Sequence, residues 1–299
     1  MTIRELCDAI ELQSEIKNEV ISYYDSLDFE QALGKINEAT GTDTNVQDAV
    51  QKVFEILAPD DRNIKMLTYM LHCALKAYDK YKQLEIADDI FIATMRCFTR
   101  FIGECYAKTG TYAFDRGWWT GRQVSMKLFR IGELEYEMTN SKSEPVISIH
   151  IPSDSDISHE KCVESIKQAK DFFIQYFPDY SNCKYICDSW LLSPTLKELL
   201  PGTSRIIGFQ NMFDIVESKP DSESFLEWVY RINAFEFVPK ENDAGEVEMV
   251  YQKKDINFDE LPEDTSLQKN IKSHIKAGGK IGDAFGILKR LYTKCWGDG

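Results

Sequence analysis

Residues 132–152 read GELEYEMTNSKSEPVISIHIP, and their phase decides the architecture. Leu134, Tyr136 and Met138 alternate with Glu133, Glu135 and Glu137, the period of two that marks a half-buried strand. A polar turn, TNSKSEP, follows. In the next run Ile147, Ile149 and Ile151 share one side, while Ser148 and His150 share the other. Two such runs joined by turn residues predict a β-hairpin.

Upstream of this hairpin the period is 3.6. Leu6, Ile10, Leu12 and Ile16 recur at helical spacing, continued by Val20, Ile21 and Tyr24. Phe29, Leu33 and Ile36 mark a second helix, and Val46, Val50, Val53, Phe54 and Leu57 a third, stopped at Ala58-Pro59. Two longer helices carry Ile64, Leu67, Leu71 and Leu75, then Ile86, Ile90, Ala93, Cys97 and Phe101. His72, Met66, Met70 and Met95 fall on these core stripes. The adjacent Trp118 and Trp119 open a further helix, predicted from Gly117 to Ile131 with Gly132 as its stop.

Downstream, Ser158 is a good cap for a helix beginning at His159, whose stripe is Cys162, Ile166, Ala169, Phe173 and Tyr176. KYICDSWLL reads as a strand. SPTLKELLP reads as a short helix with Ser193 as cap and Pro194 first, and RIIGFQNMFDIV as another strand. FLEWVYRINAF fits helix or strand. Residues 240–264 hold nine acidic residues against three basic ones and suggest an exposed excursion or edge hairpin. Thr265 caps a last helix carrying His274, and the glycines of AGGKIGDAFGILK suit tight turns. The strand–helix–strand unit at 146–190 is expected to be a right-handed parallel crossover. The class is α+β: an all-α domain over residues 1–124, then a mixed-sheet domain over residues 125–299.

Composition narrows the function classes. The 299 residues carry 35 Lys plus Arg and 49 Asp plus Glu, a net charge of −14, with 43% hydrophobic residues. That content supports a sizeable core. The acidic balance opposes general binding to nucleic acid or anionic membranes. No signal peptide or membrane span is legible, so a cytoplasmic location is expected, with a small molecule as partner and any protein partner unspecified. Eight cysteines are too dilute for a disulfide framework. His159 and Cys162 with Cys183 and Cys187 match no standard zinc spacing, so no metal is expected.

The segments DRGWW, LFRIGELEYEM, ISIHIP, CDSWLLSPTLKELLP and TSLQKNIKSHIKAGG together resemble a bacterial family of two-part acyltransferase-like proteins. In that family a helical N-terminal domain precedes a domain similar to the GNAT acetyltransferases. The resemblance implies acetyl-CoA or another acyl-CoA as donor. It places VISIHIP and KYICDSW as the splayed strands that admit the pantetheine arm, with the pyrophosphate on backbone amides at the start of the intervening helix. The donor-binding residues so implied are Ile151, Ser153, Ser155, Ile157, Ser158 and His159. The loop SDSDISH lacks the family's glycines and carries Asp154 and Asp156, with Glu160 just beyond. Carboxylates there would occupy the helix's positive end themselves unless Arg116, Arg122 or Arg130 compensates. The tyrosine that commonly serves as general acid is missing from SPTLKELLP.

His150, near the carboxyl end of its strand, is the candidate general base, since an imidazole of pKa near 6.5 can deprotonate an amine or alcohol. The other reading is a hydrogen-bonded structural histidine. Ser189 is a candidate to hydrogen-bond the acceptor or thioester oxygen, or else a cap for the segment after it. Trp118, Trp119, Gln123 and Asp188 are candidates for the acceptor pocket; for the tryptophans and Gln123 core packing is the alternative. The function expected is acyl transfer from acyl-CoA to an amine or hydroxyl. The alternatives are a cofactor-free GNAT-like module binding a small ligand at the domain junction, and a scaffold whose acidic surface meets a basic protein.

Overall fold

A computed structural model describes residues 1–27, 29, 53–241 and 247–293, and the chain forms two compact units. One holds Met1–Asp154 with Gln168–Cys183, the other Ser155–Lys167 with Lys184–Gly299. The class is α+β.

The first unit opens with α1 (Ile3–Ala9), α2 (Ser14–Ser26), α3 (Ile64–Gln83), α4 (Asp88–Met95) and α5 (Cys97–Thr109). Thr2 and Glu5 form a reciprocal capping box on α1. The apolar stripe that begins there is cut between α1 and α2, where Glu11 takes a left-handed φ of 57°. Helix α3 buries Met66, Leu67, Met70 and Leu71 completely, and Lys80 and Lys82 in its last turn suit the negative end of the helix dipole. The helices expected near 29–40 and 46–57 lie largely outside the described residues.

The next helix, α6 (Gly117–Val124), is shorter than the sequence suggests. Met126 turns left-handed at φ 59°, and Leu128–Ile131 becomes strand β1 instead of continuing the helix. At Gly117 a Cβ would stand 3.1 Å from side-chain atoms of both Met66 and Phe54, a tight fit that a larger residue would meet only if those side chains gave way by a few tenths of an ångström.

Strands β1, β2 (Leu134–Ser141) and β3 (Glu144–His150) form an antiparallel meander. Lys142 and Ser143 close the expected hairpin with φ values of 50° and 68°, the two left-handed residues that a type I′ turn requires. Register puts Arg130 opposite Glu135 and Glu135 opposite His150, with Leu128, Glu137 and Ser148 in the neighbouring row. These side chains share one face. Phe129, Tyr136 and Ile149 share the other, where Phe129 packs on Phe172, Phe173 and Phe177. Burial departs from the simple alternation, because Glu135 is only 2% exposed. The charged face of the hairpin is covered as well as the apolar one.

Helix α7 (His159–Tyr176) follows the loop after β3; its first half counts with the second unit and its last half with the first. The second unit contains β4 (Lys184–Ser189), α8 (Leu196–Leu199), α9 (Arg205–Gln210), β5 (Phe213–Lys219), α10 (Phe225–Tyr230), β6 (Phe235–Glu241), β7 (Val247–Lys253), α11 (Ser266–Lys276), β8 (Asp283–Leu288) and α12 (Arg290–Thr293). Strand β8 pairs antiparallel with β4 on one side and β5 on the other. Over the described part of the acidic stretch β7 pairs antiparallel with β6, and α10 resolves FLEWVY as helix. Thr265 and Gln268 form the expected cap of α11 as a capping box.

Two local expectations change here, and a third gains a strand. Residues 205–210 are helical, so the strand read over RIIGFQNMFDIV is confined to β5. Thr195, not Ser193, precedes α8, because the Ser193 hydroxyl donates to the carbonyl of Ile281 instead. The glycine-rich tail turns at Gly278 and Gly282, with φ of 86° and 70°, and then forms β8.

Candidate active site

Strand β2 projects two glutamates to one face, two residues apart, and each meets an arginine from a helix. Glu135 accepts from Arg100 of α5 at 2.7 Å, with side chains only 3% and 9% exposed. Arg100 also lies 3.8 Å from Glu104 and 3.6 Å from Asp154. Glu137 accepts from Arg122 Nε of α6 at 3.0 Å through Oε1, and its Oε2 stands 2.8 Å from His150 Nε2. All three members of this second chain are half-buried.

The surroundings fix both ends of it. The Arg122 guanidinium stacks over the Trp119 ring at 4.3 Å, and Nη1 donates to the Trp118 carbonyl at 3.4 Å. Trp119 in turn meets the imidazole of His150 edge-on, at 5.0 Å and 90°. Gln123 is buried; with its amide oriented to satisfy both ends, its nitrogen donates to Trp119 O and its oxygen accepts from Trp119 Nε1, each at 3.2 Å. Trp118 is T-shaped against Trp119 at 5.6 Å and partly exposed. Burial pushes the Glu137 carboxyl up, but the His150 bond and the Arg122 charge outweigh it and hold the group below its ordinary 4.5. Glu137 is therefore a carboxylate at neutral pH.

The loop after β3 is neutralised piece by piece. In the first unit Asp154 pairs with Arg130 at 2.9 Å, and Ser153 donates to Glu104. Burial raises Asp154, yet Arg130 and Arg100 bring it below its ordinary 3.8; burial alone dominates at Glu104, whose carboxyl is raised. In the second unit Asp156 accepts from the Ser158 backbone N–H at 3.0 Å and from Arg205 at 3.1 Å, and both lower its pKa. Ser158 starts α7 as expected, its carbonyl accepting from Cys162 N–H at 3.0 Å. His159 packs against Tyr292 at 5.8 Å. Arg130 thus compensates Asp154, Arg205 does so for Asp156, and Arg122 is committed to Glu137.

Among the sequence candidates, Trp118, Trp119, Gln123 and His150 are brought together in the first unit, where Ile151 and Ser153 follow directly. Asp188 and Ser189 belong to the second unit with Ser155, Ile157, Ser158 and His159. Asp188 pairs with Lys219. Ser189 Oγ accepts from Leu191 N–H at 3.2 Å and caps the 3₁₀ turn Trp190–Leu192. Glu137, Glu135, Arg100 and Glu104 escaped the sequence reading. The available signal was the Glu135–His150 register implied by the hairpin, which sets glutamates and histidine on one face. Among the described residues no group of three or more side chains suits a metal ion. No described helix is long and apolar enough to cross a membrane.

A half-buried imidazole hydrogen-bonded to a carboxylate, on the strand that leads into a charge-balanced loop and helix start, is an arrangement suited to proton transfer beside a bound substrate. Residues 1–126 match an N-acyltransferase N-terminal domain, and residues 128–288 match the GNAT-like C-terminal domain; the chain belongs to this two-part family. Its fold is that of solved acyltransferases. One, in complex with decanoyl-CoA and teicoplanin, superposes with a TM-score of 0.71 at 20% identity, covering 96% of this chain and 87% of that one. Another, in complex with CoA and 10C-teicoplanin, gives 0.72 with the same identity and coverage. A mutant acyltransferase in complex with octanoyl-CoA gives 0.71, also at 20% identity and with coverage of 96% and 87%. No curated protein matches the chain significantly.

Proposed function

We propose that the chain transfers an acyl group from an acyl-CoA to an amine or hydroxyl of a small-molecule acceptor, with His150 as general base. Residues 1–124 form the helical part in this reading and 125–299 the acyltransferase part. The observation that carries it is the 2.8 Å contact between His150 and a charged, half-buried Glu137 in a chain of an N-acyltransferase family. Solved relatives of the fold hold octanoyl- and decanoyl-CoA, which favours a medium-length acyl chain, and two hold teicoplanin compounds, which favours an elaborated small-molecule acceptor.

In the step itself the acceptor's nitrogen or oxygen attacks the thioester carbon while His150 takes its proton. The C–S bond then breaks, and the imidazolium returns that proton to the departing CoA thiolate. Trp119 packs edge-on against the half-buried imidazole, and the partial burial strengthens its contact with Glu137. Ser189 Oγ accepts from Leu191 and still has its own proton to give to the thioester oxygen. In this reading the donor-side candidates are Ile151 and Ser153 of the first unit and Ser155, Ile157, Ser158 and His159 of the second; the acceptor-side candidates are Trp118, Trp119 and Gln123 of the first and Asp188 of the second.

The loop chemistry fits a polyanionic donor. Asp154 and Asp156 are each matched by an arginine, so the negative charge that favoured a coenzyme-free module is balanced. Arg205 remains largely exposed, a cation close to the start of α7. The test is mass-spectrometric detection of acyl transfer from octanoyl- or decanoyl-CoA across amine and hydroxyl acceptors, with CoA release followed in parallel. His150→Gln should lower kcat by about 10²–10⁴-fold and leave acyl-CoA binding intact. Full turnover in His150→Gln removes the base. Absence of any CoA-dependent thermal stabilisation, where about 2.7 kcal/mol is due at a hundredfold excess over Kd, removes the donor.

A further inference from the structure

Glu137 divides its two oxygens between a guanidinium and an imidazole, and that division has a chemical consequence for His150. A carboxylate has no proton to donate, so its hydrogen bond with His150 Nε2 requires the imidazole N–H to sit on Nε2. In the neutral ring the lone pair is then on Nδ1. Which oxygen faces His150 is set from the other side, where Arg122 Nε holds Oε1. Arg122 is itself immobilised by the Trp119 ring at 4.3 Å and the Trp118 carbonyl at 3.4 Å.

We infer that Arg122 is a positioning residue which, through Glu137, fixes His150 as its Nε2-protonated tautomer and makes Nδ1 the nitrogen that receives the acceptor's proton. This rests on the reading of His150 as the base. The charged groups around the imidazole are few. Strand β2 presents Glu137 and, directly across the register, Glu135; α6 presents Arg122; α5 presents Arg100, which is committed to Glu135. Arg130 of β1, in the same row, is committed to Asp154. From β3 itself the same face offers Ser148 beside the ring, then Val146, and Glu144 three rows away at the hairpin tip. Glu137 is thus the group that bonds the ring, and Arg122 is the cation that bonds Glu137.

Removing that cation leaves Glu137 with one charge partner, and the His150–Glu137 pair then holds an added proton more tightly. In Arg122→Met the acidic limb of the pH profile of kcat/KM should move to higher pH by about one unit, an approximately tenfold loss on that limb. Arg122→Lys keeps the charge but loses the planar fork over Trp119, and should restore the limb in part.

The decisive measurement needs no substrate. Long-range proton–nitrogen correlation spectra of the ¹⁵N-histidine-labelled full chain resolve four histidines, and His150→Gln assigns the relevant one. At a pH above its titration, His150 should show a protonated Nε2 and a bare Nδ1 in the native chain. Glu137→Gln, whose amide can offer either an acceptor or a donor, should give a mixture of tautomers. A protonated Nδ1 in the native chain overturns the inference, as does an Arg122→Met chain whose tautomer and acidic limb both match the native ones. Should Arg122→Met fail to fold, the native tautomer and the Arg122→Lys profile carry the same decision. A chain that shows the expected tautomer but no acyl transfer to any acceptor refutes the acyltransferase reading and leaves the tautomer assignment standing.

Discussion

Glu135 and Glu137 stand two residues apart on one strand, point to one face, and each meets an arginine from a helix, yet they serve different ends. Glu135 and Arg100 are both nearly sealed from solvent. Glu137 and Arg122 are half-buried, and Glu137 spends its second oxygen on His150. A carboxylate sealed against one guanidinium locks a helix onto a sheet. A carboxylate shared between a permanent cation and a titratable ring transmits charge to that ring. The surroundings of each carboxylate, more than its residue type, separate the two roles.

The sharpest way to break this contrast is to take the arginine away from the sealed pair. Arg100→Met leaves Glu135 as an uncompensated buried charge and should cost about 3–5 kcal/mol in urea unfolding. A loss below about 1 kcal/mol would mean that the pair is not structural. Glu137→Gln should do the reverse. Turnover should fall by less than the roughly 10²–10⁴-fold due to the base itself, and unfolding free energy should move by no more than about 1 kcal/mol. Equal stability losses in the two variants would erase the distinction.

Acid sharpens it further. Glu137 and Asp154 have native pKa values below their ordinary 4.5 and 3.8, so their stabilisation is present above those values and is lost as pH falls through the lowered native ones. Urea midpoints should therefore drop in this range, less steeply in Glu137→Gln and Asp154→Asn. Glu104 has the opposite sign: its pKa is raised by burial, so its contribution is favourable below 4.5 and is lost as pH rises through the native value. Glu104→Gln, still able to bond Ser153, should be neutral or stabilising by a few tenths of a kcal/mol at pH 7. A clear destabilisation there would make Glu104 part of the charged lattice after all.

Much of the frame was legible. Alternation in 133–138 and 146–151 gave the hairpin, and Ser158 and Thr265 gave helix starts, because these are local rules. The site was only half legible. The candidates His150, Trp119 and Gln123 do stand together, but alternation says that two strand faces differ and not what covers the polar one. The cover is Arg100 and Arg122, on helices that lie earlier in the chain. Helix α6 was overextended because Met126 adopts a left-handed turn without the glycine or asparagine that usually signals one. Strand β8 hid behind the glycines at and before it; at Gly286 a Cβ would stand 3.0 Å from Leu192 and 3.1 Å from Phe213, a tight fit that favours the residue that disguised the strand.

The hairpin tip at Lys142 and Ser143 touches none of the catalytic candidates, yet it governs their phase. Strand side chains alternate, so a single residue inserted or lost there would slide β3 by one step and carry the imidazole to the phenylalanine side, presenting an isoleucine to the glutamates. The facing of the candidate base at one end of this ribbon is thus indexed by two backbone angles at the other. Length changes in that bend would be tolerated only in pairs.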